Sequence, residues 1–136
     1  MALQLDVITP ERRLLSEQAD AVTVPGAGGE LGILPGHTPL ISQLQTGVLS
    51  YTQGTTTRRL LVSGGFVEVN DDRVSVLADL AEFPEEIAVA IARTEYEKIL
   101  QTLTGFTGSP EKLAEVQALF DLANTRLQLA ASETAR

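Results

Sequence analysis

Phe66-Val67-Glu68-Val69-Asn70-Asp71-Asp72-Arg73-Val74-Ser75-Val76-Leu77 is the stretch that decides the fold of the first half of this chain. Apolar and polar residues alternate before Asn70 and again after Asp72, which is typical of two half-buried strands. Asn and Asp tolerate the unusual backbone dihedrals of tight turns, so residues 70–72 are expected to connect the two strands. The stretch therefore predicts an antiparallel β-hairpin.

Alternation with a period of two extends outward from this hairpin, from Ala2 to about Ala78. Pro and Gly residues interrupt the alternation at close spacing, which indicates short antiparallel strands arranged as a sandwich or a barrel. The apolar positions of the other predicted strands are Leu3, Leu5, Val7, Val22, Val24 and, less regularly, Val48 and Tyr51.

The pattern changes to a helical period after Phe83. Pro84 suits the first turn of a helix, and Glu85 and Glu86 would place negative charge where it favours the helix dipole. The apolar residues that follow at helical spacing are Ala88, Ala92, Tyr96, Ile99 and Leu103.

A second helix is predicted after the break Gly-Phe-Thr-Gly at residues 105–108. Ser109 followed by Pro110 has the form of an N-cap with proline at the first helical position. We therefore divide the chain into a β domain at residues 1–82 and a helical hairpin at residues 83–136. The hairpin can dock on the β domain or lie against another protein, and the pattern leaves both open. The apolar seam of the second helix is Leu113, Val116, Phe120, Ala123, Leu127 and Ala130.

Composition and charge restrict the functions that the chain can have. Its formal net charge is −8, so repulsion by phosphate backbones argues against nucleic acid as a partner. The absence of cysteine excludes disulfides, thiol catalysis and thiolate metal sites. No apolar run approaches the roughly 20 residues of a membrane span, and strand alternation begins near Ala2, so no targeting signal is expected.

A search for reactive or ligand-binding motifs finds no catalytic constellation. Residues 25–32 are rich in glycine, but no Lys-Ser/Thr follows and the pattern continues as a strand, which argues against a phosphate-binding loop. His37 is the single histidine, and it cannot form a multi-histidine metal site. A hydrolytic enzyme built around His37 would lack evident partner residues. From the residues alone, a structural and a contact role for His37 remain equally open.

Three blocks of sequence resemble the epsilon subunits of F-type, proton-translocating ATP synthases. Residues 24–40, Val-Pro-Gly-Ala-Gly-Gly-Glu-Leu-Gly-Ile-Leu-Pro-Gly-His-Thr-Pro-Leu, look like the family signature Gly-Glu-Leu-Gly-Ile-x-Pro-Gly-His-x-Pro-Leu. Residues 62–69 (Val-Ser-Gly-Gly-Phe-Val-Glu-Val) and 74–79 (Val-Ser-Val-Leu-Ala-Asp) follow in the expected order. The opening residues 5–10 (Leu-Asp-Val-Ile-Thr-Pro) also match, and the helical hairpin extends the resemblance to about residue 132.

The resemblance implies an antiparallel β-sandwich followed by two helices, and a non-catalytic rotor subunit of the central stalk. In that family the sandwich grips the gamma subunit and sits on the ring of c subunits, so that proton translocation is coupled to ATP synthesis. The loop that carries Glu30, Gly36 and His37 is the matching surface that faces the c-ring. The resemblance implies no catalytic residue, no metal and no cofactor.

The resemblance also gives the helical hairpin a regulatory role. In bacterial relatives the helices extend along gamma to the alpha and beta subunits and inhibit ATP hydrolysis, with Gly105 and Gly108 as the expected hinge here. The second helix holds few basic residues (Lys112, Arg126 and Arg136), which weakens an electrostatic contact with an acidic surface. The expected location is the cytoplasmic side of a bacterial plasma membrane, or the stromal side of a thylakoid membrane, reached only through the complex.

The chain departs from the family at a nucleotide-binding pattern. Several bacterial members bind ATP through an aliphatic residue, Asp, two variable residues, Arg and Ala. The matching residues 87–92 are Ile-Ala-Val-Ala-Ile-Ala, in which Ala88 replaces the Asp and Ile91 replaces the Arg. We therefore predict weak or absent ATP binding. The same substitutions argue against the main alternative function, a stand-alone nucleotide-sensing domain of this fold.

Overall fold

The structure, a computed structural model, describes residues 2–134 and divides after Phe83 into two compact units. The first unit contains the strands and the second contains the helices, so the predicted fold class, strands followed by two helices, is confirmed. The strands are β1 (Leu3–Ile8), β2 (Arg13–Ala19), β3 (Ala21–Gly26), β4 (Gly29–Ile33), β5 (Leu40–Gln43), β6 (Gly47–Gln53), β7 (Thr56–Ser63), β8 (Phe66–Asn70), β9 (Arg73–Leu77) and β10 (Leu80–Glu82). A 3₁₀ helix (Pro84–Glu86) precedes α1 (Val89–Thr104) and α2 (Pro110–Thr134).

Two five-stranded sheets form a sandwich. The first sheet has the order β2-β1-β9-β8-β5, and the second has the order β10-β7-β6-β3-β4. Neighbouring strands are antiparallel, with the exception of β1 and β9, which pair in parallel from Gln4 opposite Arg73 to Ile8 opposite Leu77. The sequence left a sandwich and a barrel open on its pattern, and the structure is a sandwich.

Alternating residues of both sheets fill the core, as strand geometry requires. The positions assigned to buried strand faces are confirmed, with Val48 as the exception. Tyr51 is buried and Val48 is half-buried, because an odd spacing of three puts the two side chains on opposite faces of β6. The core side chains that are almost fully buried include Leu3, Leu5, Val7, Val22, Val24, Leu49, Tyr51, Leu60, Val62, Val67, Val69, Val74 and Val76.

The hairpin of β8 and β9 confirms the prediction from its sequence. Asn70 pairs with Arg73, so Asp71 and Asp72 form a two-residue turn. Their φ angles are 50° and 59°, and a turn with positive φ at both central residues matches the right-handed twist of the flanking strands. Asp tolerates this conformation better than most residues.

The first α-helix begins later than predicted. The amide of Ile87 donates to the Pro84 carbonyl oxygen at 3.1 Å, which closes a tighter 3₁₀ turn, and Ala88 is then extended with φ −77° and ψ 115°. The α-helix therefore starts at Val89, and Ala88 precedes the helix in an exposed position instead of lying in its buried seam. No side chain caps this end, because alanine has no group that can accept from the free amides.

The second α-helix starts where the sequence predicts. The amide of Lys112 donates to Ser109 Oγ at 3.2 Å, which is the expected N-cap bond. Between the helices, the rings of Tyr96 and Phe120 approach to 5.5 Å, and Glu95 pairs with Arg126 at 3.3 Å. The predicted seam of α2 is buried or half-buried from Val116 onward, whereas Leu113 is exposed.

Candidate partner-binding surface

The glycine-rich segment forms a β-hairpin. Strands β3 and β4 are joined by the two-residue turn at 27–28, and Glu30 of β4 lies opposite Pro25 of β3. Glu30 therefore belongs to a strand, and it does not share one loop with His37 as the sequence suggested. It lies about 10 Å along the strand from Ile33, where β4 ends, at about 3.3 Å per residue. The segment continues as strand β4 and not as a helix, as expected for a segment that is not a phosphate-binding loop.

Gly36 and His37 belong to a tight turn between β4 and β5. The amide of His37 donates to the Leu34 carbonyl oxygen at 3.1 Å, and Gly36 has a φ of 84°. Proline at the second position and a positive φ at the third are the features of a type II turn. Strands β4 and β5 are the edge strands of different sheets, so this turn lies in the crossover from one sheet to the other. We name residues 34–39 the crossover loop.

The His37 ring is oriented by its own backbone neighbour. Its Nδ1 atom lies 2.6 Å from the Thr38 carbonyl oxygen. A carbonyl oxygen can only accept, so Nδ1 carries a proton, and in the neutral ring Nε2 is the nitrogen that can accept a hydrogen bond from another molecule. The half-buried ring thus presents one defined polar atom.

A side chain from another segment holds the crossover loop in place. The amide of Gly36 donates to Asp72 Oδ1 at 2.7 Å. Asp72 is itself fixed, because its backbone lies in the β8–β9 turn and its carbonyl oxygen accepts from the Gln4 amide at 2.8 Å. Sequence reasoning placed Asp72 in a turn but missed this bond, since the two residues are far apart in the chain.

The outward face of the first sheet carries exposed apolar side chains. Phe66 and Leu77 lie opposite each other on β8 and β9 and are each 50% exposed. Ile8 pairs with Leu77 on the next strand, so Phe66, Leu77 and Ile8 form a continuous set that we name the apolar row. Ile41, on β5, is 70% exposed on the same face. The alternating pattern of β8 could have predicted the exposure of Phe66. Buried Val67 and Val69 lie on one face of the strand, so Phe66 lies on the opposite face.

Polar groups flank the apolar row. Asp6 of β1 is almost buried and accepts from Ser16 Oγ at 2.6 Å. Arg73 Nη1 lies 3.7 Å from Asp6 Oδ2. These partners satisfy a carboxylate that burial would otherwise penalise, so the face combines an apolar row with a hydrogen-bonded polar cluster.

The two hinge candidates lie in the connection between α1 and α2. Gly105 caps α1 with an ordinary φ of −94°, which any residue can adopt. At Gly108, an added Cβ would meet the Phe106 ring at 2.8 Å, so glycine permits a close ring contact there. Hinge function at these two positions remains a prediction.

The positions that correspond to the nucleotide-binding pattern of the family lie at the start of α1. Ala88 precedes the helix and Ile91 lies in its first turn, where it is 62% exposed. Neither side chain can form a hydrogen bond to a nucleotide.

Within residues 2–134, which the structure describes, no three His, Cys, Asp or Glu side chains cluster so that they could hold a metal ion. Across the same residues, neither α-helix combines the length and apolar character needed to cross a membrane.

Comparison with known proteins identifies relatives along most of the chain. Residues 2–84 match the family described as ATP synthase, Delta/Epsilon chain, beta-sandwich domain. An ATP synthase epsilon chain of Dehalococcoides mccartyi is 46% identical over 129 residues, covering 94% of this chain and 91% of the relative.

Two solved structures share the fold. A chain in the Euglena gracilis mitochondrial ATP synthase (OSCP/F1/c-ring) has a TM-score of 0.78 at 21% identity, covering 99% of this chain and 82% of that chain. A chain in the central stalk and c-ring structure of the Tetrahymena thermophila mitochondrial ATP synthase has a TM-score of 0.69 at 14% identity, covering 96% of this chain and 97% of that one.

Proposed function

The chain belongs to the ATP synthase delta/epsilon chain family, and on that premise we propose that it is the non-catalytic epsilon chain of a rotary, proton-translocating ATP synthase. In this role it couples proton translocation to ATP synthesis as part of the central stalk. It joins the membrane as a peripheral protein through the complex, on the cytoplasmic or stromal side. The observation that carries the proposal is the exposed apolar row on a sandwich of this family.

The apolar row is the proposed contact with the gamma subunit. Phe66 and Leu77 are half exposed and adjacent on neighbouring strands, and large apolar side chains in such positions mark interaction sites. Aromatic anchors of this kind dominate the free energy of many interfaces. The polar cluster around Asp6 and Arg73 would lie at the rim, where hydrogen-bonded groups fix orientation.

The crossover loop is the proposed contact with the c-ring. Its turn presents His37 with Nδ1 bonded to the Thr38 carbonyl oxygen, which leaves Nε2 of the neutral ring as the acceptor for an external donor. Glu30 on β4 is a separate contact, which would meet a different part of the ring than His37 does. Gly36 contributes through its conformation, because its positive φ shapes the turn.

The helical hairpin is the proposed regulatory element. Exposed apolar side chains lie on both helices, including Ile91, Leu113 and Leu119, and they provide surface for the alpha and beta subunits when the helices extend. The ion pair between Glu95 and Arg126 joins the two helices, and separation of the helices would break it.

Binding to a matching catalytic head that contains gamma and lacks epsilon and the c-ring tests the gamma contact. Phe66→Asp combined with Leu77→Asp should weaken binding of the full chain by at least about a hundredfold, because each buried apolar anchor typically contributes about 2 kcal/mol or more. Leu34→Asp is the control, since Leu34 is 63% exposed outside the apolar row. If Leu34→Asp weakens binding as much as the double variant of Phe66 and Leu77 does, the result would count against the apolar row as the gamma contact.

ATP hydrolysis by the same head tests the regulatory role. The full chain should slow hydrolysis, and a chain that ends at Phe83 should bind without slowing it. Inhibition by both chains would assign the effect to the sandwich, and inhibition by neither would leave the hairpin a structural role.

A further inference from the structure

We infer that Asp72 is a positioning residue that holds the crossover loop in the orientation that presents His37 to its partner, an inference that rests on the proposed contact of this loop with the c-ring. The bond from the Gly36 amide to Asp72 Oδ1 is short at 2.7 Å. Its acceptor is a carboxylate, and charge-assisted bonds of this kind are roughly twice as strong as neutral ones.

The crossover loop needs an external support because it runs outside both sheet ladders. Within the loop, the bond from the His37 amide to the Leu34 carbonyl oxygen closes the turn, but a bond inside the turn cannot fix the position of the turn as a body. Among the hydrogen bonds of the residues described, the one from Gly36 to Asp72 joins the turn to a distant segment. That bond therefore determines where the turn lies relative to the first sheet.

Asp72 is suited to this task because its own position is determined by three strands. It lies in the turn between β8 and β9, and its carbonyl oxygen accepts from Gln4 of β1. These strands are neighbours in the first sheet. The carboxylate is thus attached to a turn that is held by three neighbouring strands, and it connects that turn to the backbone that directly precedes His37.

The neighbouring Asp71 provides a matched control. Both residues carry a carboxylate, both occupy the same turn, and both have positive φ angles of 50° and 59°. Alanine at either position removes one negative charge and introduces similar backbone strain. The hydrogen bond from the Gly36 amide is lost in Asp72→Ala and kept in Asp71→Ala. Asp72→Asn removes the charge and retains an oxygen that can accept from Gly36.

Amide hydrogen exchange in the isolated full chain tests the tether without any partner. Asp72→Ala should speed exchange of the Gly36 amide by about tenfold or more, as expected for loss of a hydrogen bond to a charged group. Asp71→Ala should leave this rate within about threefold of the wild type, and Asp72→Asn should restore most of the protection. Equal rates in the two alanine variants would overturn the inference.

Affinity for a detergent-solubilised complex of the matching gamma subunit and c-ring tests the positioning role. We expect His37→Ala and Asp72→Ala each to weaken binding about tenfold, and the double variant to bind like His37→Ala alone, because residues that act as one unit are not additive. If His37→Ala weakens binding and Asp72→Ala does not, or if the two effects add in the double variant, the positioning role is overturned and the proposed contact still stands. If His37→Ala binds normally, the proposed contact fails and the positioning role fails with it.

Discussion

The Tyr51 hydroxyl donates to Glu17 Oε2 at 3.1 Å and so joins strand β6 of the second sheet to strand β2 of the first. Tyr51 is buried, and Gln53 Nε2 donates to the same Glu17 oxygen at 3.2 Å. Tyr51→Phe should lower the free energy of unfolding by about 1 kcal/mol, since Gln53 continues to satisfy the carboxylate. Urea unfolding of the full chain checks this, and Tyr96→Phe serves as the control. A change below the error of the measurement would contradict the assigned bond.

The same tyrosine should make the chain sensitive to alkaline pH. Burial, and then the hydrogen bond to Glu17, raise the pKa of Tyr51 above its ordinary value of 10.0. The stability from neutral Tyr51 is therefore fully present below pH 10.0 and is lost as pH rises through the raised pKa. The stability difference between wild type and Tyr51→Phe should shrink above pH 10.0, which urea unfolding over a pH series would measure. A constant difference would contradict this linkage.

The glycine that directly precedes β8 should be intolerant of any side chain. Gly65 has a φ of 87°, and an added Cβ would overlap the Leu77 carbonyl oxygen. Gly65→Ala should destabilise the sandwich by about 2 kcal/mol or more, from backbone strain and the displaced strand together. Gly28→Ala is the matched control, because a Cβ at Gly28 meets nothing within 4 Å. Thermal unfolding of both variants would show the contrast, and similar values would count against the close approach.

The uncapped start of α1 offers a stabilising substitution. Ala88 is the N-cap residue and makes no side-chain cap bond. Ala88→Asp should stabilise the helix by about 1 kcal/mol, because its carboxylate can accept from a free amide and lies at the positive end of the helix dipole. Ala88→Leu should give no such gain. Helix content by circular dichroism during thermal unfolding would distinguish the two variants, and an equal response would argue against a capping effect.

The absence of the nucleotide pattern leads to a prediction for ATP. With Ala88 and Ile91 in place of a carboxylate and a guanidinium, two charge-assisted bonds of about 1.5–3 kcal/mol each are missing. Isothermal titration of the full chain with ATP should show no binding at micromolar concentrations. A dissociation constant in the micromolar range would show that other residues bind the nucleotide.

Sequence patterns predicted the secondary-structure elements that are determined by residues close together in the chain. The β8–β9 hairpin followed from alternation around Asp71 and Asp72, and the start of α2 followed from the Ser109 cap. The prediction of where α1 starts was wrong, because proline and glutamate are as compatible with a 3₁₀ turn as with an α-helix. The difference depends on the hydrogen bond of Ile87 to Pro84, which propensity does not reveal.

The candidate site was proposed from the sequence as a set of residues, and its partner-binding role stays a prediction, whereas the arrangement of those residues did not follow from the sequence. The motif identified Glu30, Gly36 and His37, but assigned them to one loop, because a glycine-rich stretch gives little sign of strand pairing. The support from Asp72 was not foreseeable, since it depends on bringing the β8–β9 turn next to the crossover loop. Contacts between distant segments follow from sheet order, which alternation alone does not specify.

The parallel pairing of β1 with β9 has a consequence for the order of events during biosynthesis. Strand β1 lies between β2 and β9 in the first sheet, so it leaves the ribosome long before one of its two neighbours exists. Until Arg73–Leu77 has been made, the nascent chain presents an open edge of β1 that can pair with a strand of another molecule. Closure of the first sheet therefore waits for the ninth strand, and protection of this edge by a chaperone would be needed mainly between the emergence of β1 and the emergence of β9 from the ribosome.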